Sequence, residues 1–187
     1  MEKALSLIHK FYPDDTDLRQ LLLLHSRQVM EKALTVCEKH PELSLDRTLV
    51  LEGAMLHDIG IFLCDAPGIH CHGPHHYLLH GTLGGQLLRA ENMPQLAQFC
   101  ERHTGTGLQA EQFQRLNIPI PELLRNDKSQ MALTPQTLEE KVVCYADKFF
   151  SKSHPERERT VTQTAESLRK FGETCVDTFL HWATLFE

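Results

Sequence analysis

His57 and Asp58 stand side by side behind an apolar run, Leu49-Val50-Leu51 and Ala54-Met55-Leu56, and are followed by Ile59-Gly60. If that run is a buried helix, an imidazole and a carboxylate are carried to the edge of the core, where each needs a partner. A metal ion would satisfy both. Four further residues have the same awkward placement: His25 on an apolar helical stripe, His80 beside a glycine cluster, His103 at a helix end, and Asp147 four residues after Val143. Each has an ordinary explanation alone, such as a hydrogen-bonded core histidine or an imidazolium at a helix C-terminus. Together they place four histidines and two aspartates inward or at helix ends.

The elements that must position them read as helices. A short one spans 2 to 11 and is closed by Pro13. A longer one, with Asp17 as N-cap, carries Leu18, Leu21, Leu22, His25, Val29, Ala33 and Val36 at three- and four-residue steps to Pro41. Ser44 caps a helix over about 45 to 58, stopped by Gly60. Residues 61 to 74, with Pro67-Gly68 and Gly73-Pro74, read as a loop. A helix over about 75 to 91 holds His80 with Gly81, Gly84 and Gly85, a pattern that suits close approach of another backbone or of a bound group. Pro94 opens the helix that ends at His103. Residues 105 to 134 form an irregular excursion with helical turns at 109 to 116 and 121 to 125, the kind of segment that serves as a lid or binding loop. Thr134 and Pro135 start the helix bearing Asp147, and helices over about 156 to 171 and 174 to 186 follow. No convincing strand run is present. The expectation is an all-α, single-domain bundle over 1 to 187, of about seven to eight helices, with the core over about 17 to 152 and the metal site at its centre.

Composition narrows the function. The chain has 187 residues, 41% of them hydrophobic, and a net charge of −6. No apolar run reaches the length of a membrane span, and the first residues lack the features of a signal peptide, so a cytoplasmic location is expected. The C-terminal cations Lys152, Arg157, Arg159, Arg169 and Lys170 are interleaved with glutamates, which argues against a basic face for a nucleic-acid polymer. Six scattered cysteines without a C-x-x-C pair suit reduced thiols. Cys64, Cys71, His72 and His75 do not match paired zinc-ligand spacing.

The order lone His25, doublet His57-Asp58-Ile59-Gly60, and distant Val142-Val143-Cys144-Tyr145-Ala146-Asp147 resembles the HD-domain superfamily of metal-dependent hydrolases, over about residues 20 to 152. His80-Gly81 and Arg102-His103-Thr104-Gly105 match the extra positions by which a subset binds a second metal. The Cys64-Asp65-Ala66-Pro67-Gly68 loop and Ala146-Asp147-Lys148-Phe149 are similar to the HDIG type of phosphohydrolases. The resemblance implies that His25, His57, Asp58 and Asp147 hold one metal and that Asp58 bridges to a second held by His80 and His103. It implies one or two divalent ions among Fe, Mn, Co, Ni and Zn, and a metal-bridging hydroxide attacking a small phosphorylated metabolite or nucleotide. Two positions depart from the pattern: Ile61 replaces a lysine, and Thr104 replaces a second histidine. Lys148, Lys152 or Arg102 then supplies the positive charge, and His75 or His76 the leaving-group proton. The same ligand set also suits a di-iron oxygenase, and a metal-stabilised binding module is the non-enzymatic alternative. Nothing in the sequence specifies an oligomeric state.

Overall fold

The computed structural model describes residues 1–129 and 131–187; residue 130, inside the 105–134 excursion, lies outside them. The chain folds into helices α1 (Glu2–Phe11), α2 (Asp17–Lys39) and α3 (Arg47–Leu56), then the strands β1 (Cys64–Ala66), β2 (Cys71–His72) and β3 (His75–His76). Helices α4 (His80–Ala90), α5 (Pro94–Arg102), α6 (Ala110–Arg115), α7 (Glu122–Asn126) and α8 (Leu138–Asp147) follow. The strands β4 (Phe150–Ser151) and β5 (His154–Glu158) lead to α9 (Val161–Leu168) and α10 (Glu173–Phe186). The architecture is all-α. Ten α-helices among the described residues exceed the expected seven to eight because α6 and α7, read as helical turns, are helices of six and five residues.

Helix starts follow side-chain capping. Thr16 accepts from the Arg19 amide in place of Asp17, and Asp46 accepts from the Thr48 and Leu49 amides, both at 3.0 Å, in place of Ser44. Ser44 instead adopts φ 50° after a short 3-10 turn. Thr137 caps α8, three residues later than Thr134. The helix expected from 75 begins at His80, after β3 and a 3-10 turn over Tyr77–Leu79, and the one expected from 156 begins at Val161, after β5. β1 pairs antiparallel with β2 and parallel with β3, while β4 and β5 form an antiparallel hairpin. Strands of two to five residues are too short to display a readable alternation, which is why the sequence shows none.

α2, α3, α5 and α8 pack against one another, α4 lies along α5, and α10 closes over α8 and α9. Their inward faces form one apolar core that includes Leu22, Val29, Val50, Leu56, Val143 and Phe179. The glycines of α4 are explained by helix contact: a Cβ on Gly81 would strike the Cys100 carbonyl of α5, and Gly84 faces the backbone of Gly60. The excursion has its own small core of Leu108, Phe113, Ile118, Leu124 and Leu133. It is packed rather than open.

Candidate metal centre

Five helices meet at the doublet. His25 comes from the middle of α2, His57 and Asp58 lie where α3 ends, His80 opens α4, His103 follows α5, and Asp147 ends α8. All six are buried, Asp58 completely. Placing ligands at helix ends lets the chain turn away from the core while the side chain stays in it. Tyr12 fixes that turn, its buried hydroxyl donating to the Ile59 carbonyl at 2.9 Å.

Each oxygen of Asp58 faces a different group of ligands. Oδ2 lies 3.2 Å from Nε2 of both His25 and His57, and Oδ1 lies 3.4 Å from Nε2 of both His80 and His103. Asp147 Oδ1 completes the first group, 2.9 Å from His25 Nε2 and 3.4 Å from His57 Nε2. Thus His25, His57, Asp58 and Asp147 form one potential ligand set, and Asp58, His80 and His103 a second sharing the aspartate.

The tautomers favour a cation. Nδ1 of His57, His80 and His103 lies 2.7, 2.6 and 2.8 Å from the carbonyls of Ala54, Tyr77 and Cys100. A carbonyl only accepts, so each Nδ1 carries the proton, and in a neutral ring Nε2 presents a lone pair inward. Burial, then the neighbouring His103, pushes His80 down to about 3, and burial also lowers His103. Their two Nε2 atoms face each other at 2.9 Å. Two neutral rings so arranged have no proton to share, whereas a divalent ion takes both lone pairs. His57 differs: burial lowers its pKa, but Asp58 and Asp147 outweigh burial and raise it to about 9.

Two lysines supply positive charge. Lys152 Nζ lies 2.5 Å from Asp58 Oδ2, and Lys148 Nζ lies 2.5 Å from Asp147 Oδ2 and 2.7 Å from the His103 carbonyl. Burial would raise the pKa of both aspartates, but Lys152 and His57 hold Asp58, and Lys148 and His25 hold Asp147, well below the usual carboxylate range. A cleft of about 470 Å³ opens onto His80, His103 and Asp147, with Lys148, Lys152, Arg159 and Lys170 in its walls. Among the described residues Asp147 is its one acidic lining residue.

Other residues singled out in the sequence lie elsewhere. Arg102 Nη1 donates to both oxygens of buried Glu140 at 3.0 Å, and its Nε donates to the Ala132 carbonyl. It neighbours His103, but one helical residue turns the side chain by about 100°, away from the cleft. His75 and His76 are exposed on β3, and His76 Nδ1 accepts from the Leu78 amide. None of the three lines the cleft. Ile61 is fully buried apolar core, and Thr104 lines the cleft. Arg159, Lys170 and Tyr77, which had no assigned role, do line it. The Glu-Arg-Glu-Arg alternation of 156 to 159 carried a signal: in an extended chain it sends Glu158 to Lys32 and Arg159 to the cleft. Charges interleaved along the chain are therefore separated in space.

Residues 22–151 match the family model of the HD domain. The chain belongs to the HD domain family. This HD domain is 31% identical over 147 residues to an uncharacterized protein of Methanocaldococcus jannaschii, covering 78% of this chain and 72% of that one. It is 30% identical over 132 residues to a tRNA (cytidine(56)-2'-O)-methyltransferase of Picrophilus torridus, covering 70% of this chain and 32% of the relative. A protein of the same name from Thermoplasma volcanium is 28% identical over 170 residues, covering 90% of this chain and 41% of the relative. The chain thus spans about a third to two fifths of the methyltransferases it matches. In fold it resembles the HD domain of the L. monocytogenes phosphodiesterase PgpH, with a TM-score of 0.53 at 18% identity, over 97% of this chain and 96% of that one. Among the described residues no helix is long and apolar enough to cross a membrane.

Proposed function

We propose that this HD domain is a metal-dependent phosphohydrolase acting on a small phosphorylated compound. The observation that carries the reading is a cleft with four cationic side chains and one carboxylate, opening onto the buried His and Asp cluster of a chain whose net charge is −6. Positive charge concentrated there on an acidic protein suits an anionic substrate. Its volume of about 470 Å³ lies in the range of small-molecule sites.

His25, His57, Asp58 and Asp147 would hold one divalent ion, and His80, His103 and the second oxygen of Asp58 another. Imidazole and carboxylate donors suit Fe, Mn, Co, Ni or Zn. Such ions, when bound, supply Lewis acidity to the phosphoryl oxygens and acidify the attacking water. The protein's part is positioning. The backbone carbonyls of Ala54, Tyr77 and Cys100 fix three imidazoles by their Nδ1–H groups, and Lys148 ties Asp147 to the His103 backbone. Lys152 and Lys148 stand beside the cluster, where they neutralise charge on a phosphoryl group.

The test is metal analysis of the purified protein with a phosphate-release screen over nucleotides and phosphosugars, run with each candidate ion and repeated on Asp58→Asn. Release that requires metal and disappears in the variant is expected. Oxygen uptake without phosphate release would overturn the reading in favour of an oxygenase.

A further inference from the structure

We propose that the outer half of the cleft is a second phosphate subsite, built by Arg159 and Lys170, so that the preferred substrate carries a phosphoryl group in addition to the one at the metal cluster. The inference rests on the proposed hydrolase reading for the position of the first phosphate. Both residues lie beyond residue 151, where the family match ends.

Arg159 is half-buried and anchored, its amide donating to the Phe149 carbonyl at 2.8 Å and its Nη1 to the Lys148 carbonyl at 3.5 Å. Those contacts use the segment that directly follows Asp147, and so hold the guanidinium beside the inner site. Lys170 approaches from the turn after α9, with Nζ 5.1 Å from the Phe171 ring centroid. Among the described residues neither cation has a carboxylate partner. Several cations outside the cleft are paired with carboxylates: Arg169 contacts Glu166 and Glu173, Arg89 contacts Glu101, and Arg47 contacts Glu38. The chain has 25 acidic residues against 19 lysines and arginines, so a cleft that gathers unpaired cations departs from its overall balance. The crowding is felt by Lys170, whose pKa is lowered by burial and then by Lys148 and Arg159. Ser151, Ser153 and Ser167 line the same walls; Ser167 Oγ donates to the Thr164 carbonyl, while the Ser151 and Ser153 hydroxyls bond each other at 3.0 Å and leave one proton of the pair to donate. A group with several acceptor oxygens and more than one negative charge relieves the repulsion and accepts from the cations and the free serine hydroxyl, and a phosphate has both properties.

The subsite can be tested by binding, independently of turnover. Calorimetry on the intact protein would compare fructose 1,6-bisphosphate with fructose 6-phosphate, and adenosine 3′,5′-bisphosphate with adenosine 5′-monophosphate. At least one bisphosphate is expected to bind about tenfold or more tightly than its monophosphate, the scale of one charge-assisted contact. Arg159→Gln with Lys170→Gln should abolish the preference, lowering bisphosphate affinity at least about tenfold more than monophosphate affinity, and the single change Lys170→Glu should do so too. Equal affinities within both pairs, no binding of any compound, or a preference that survives the variants would overturn the subsite. Failure of the hydrolase reading would register separately, as no phosphate release with any metal, and the binding comparison would still decide the subsite.

Discussion

Lys152 Nζ and Asp58 Oδ2 meet at 2.5 Å, joining the turn of the β4–β5 hairpin to the end of α3, 94 positions earlier in the chain. Asp58 is fully buried and the lysine side chain is 12% exposed, so the pair is shielded from solvent. It makes the hairpin part of the candidate metal centre and not a peripheral ornament.

Lys152→Met should therefore destabilise the metal-free protein by about 3–5 kcal/mol, the usual effect of leaving a buried charge without its partner. Divalent metal should restore much of that loss, because it supplies the missing positive charge. Thermal unfolding of chelated and metal-loaded samples would show it; a variant loss that metal leaves unchanged would contradict the shared role of the two cations at Asp58.

Asp58→Asn should reduce occupancy of both ligand groups at once, since its two oxygens face different sets. The phosphate-release rate should fall at least about 100-fold, given that even outer partners of metal ligands contribute 10–100-fold. His80→Gln should weaken only the second group. Metal-to-protein ratios measured on the two variants separate the cases, and equal losses would rule out Asp58 as a bridge.

Arg102→Ala should act on stability rather than chemistry. Removing the guanidinium leaves buried Glu140 without its cation, costing about 3 kcal/mol or more. Folded protein should keep its metal content and its rate per folded molecule, as read by unfolding curves beside activity. A large fall in kcat with unchanged stability would return Arg102 to the site.

Gly81→Ala tests the seating of His80. The added methyl meets the Cys100 carbonyl and must push α4 from α5, moving His80 relative to His103. A cost of about 1–3 kcal/mol is expected for such overpacking, with loss of metal preferentially from the His80 and His103 pair. Unchanged metal binding would show that the helices separate without disturbing the ligands.

The six residues of the cluster, the helical class and the helix periods were legible in the sequence because they depend on local facts. A histidine or aspartate on an apolar stripe is costly wherever the stripe ends up, and a three-and-four spacing defines a face without knowledge of its partner. Short strands were not legible: β1 to β4 hold two or three residues each, too few for a period, and β5 continues a charge alternation that also suits a helix surface. β3 with the 3-10 turn after it, and β5, then displaced the starts of α4 and α9.

Which cations reach the cleft was decided only by the tertiary structure. Arg102 and Lys148 both adjoin a cluster residue in sequence, yet Arg102 is turned by about 100° from His103 to Glu140 while Lys148 stays in the cleft wall, paired with Asp147. Lys152, Arg159 and Lys170 arrive from a hairpin and a turn, and their approach depends on how the C-terminal elements fold back over α8. Sequence alone identified the side chains that need a cation, since that need follows from burial of each group. The charge facing a substrate is a sum over distant residues, and only the folded chain sets their distances.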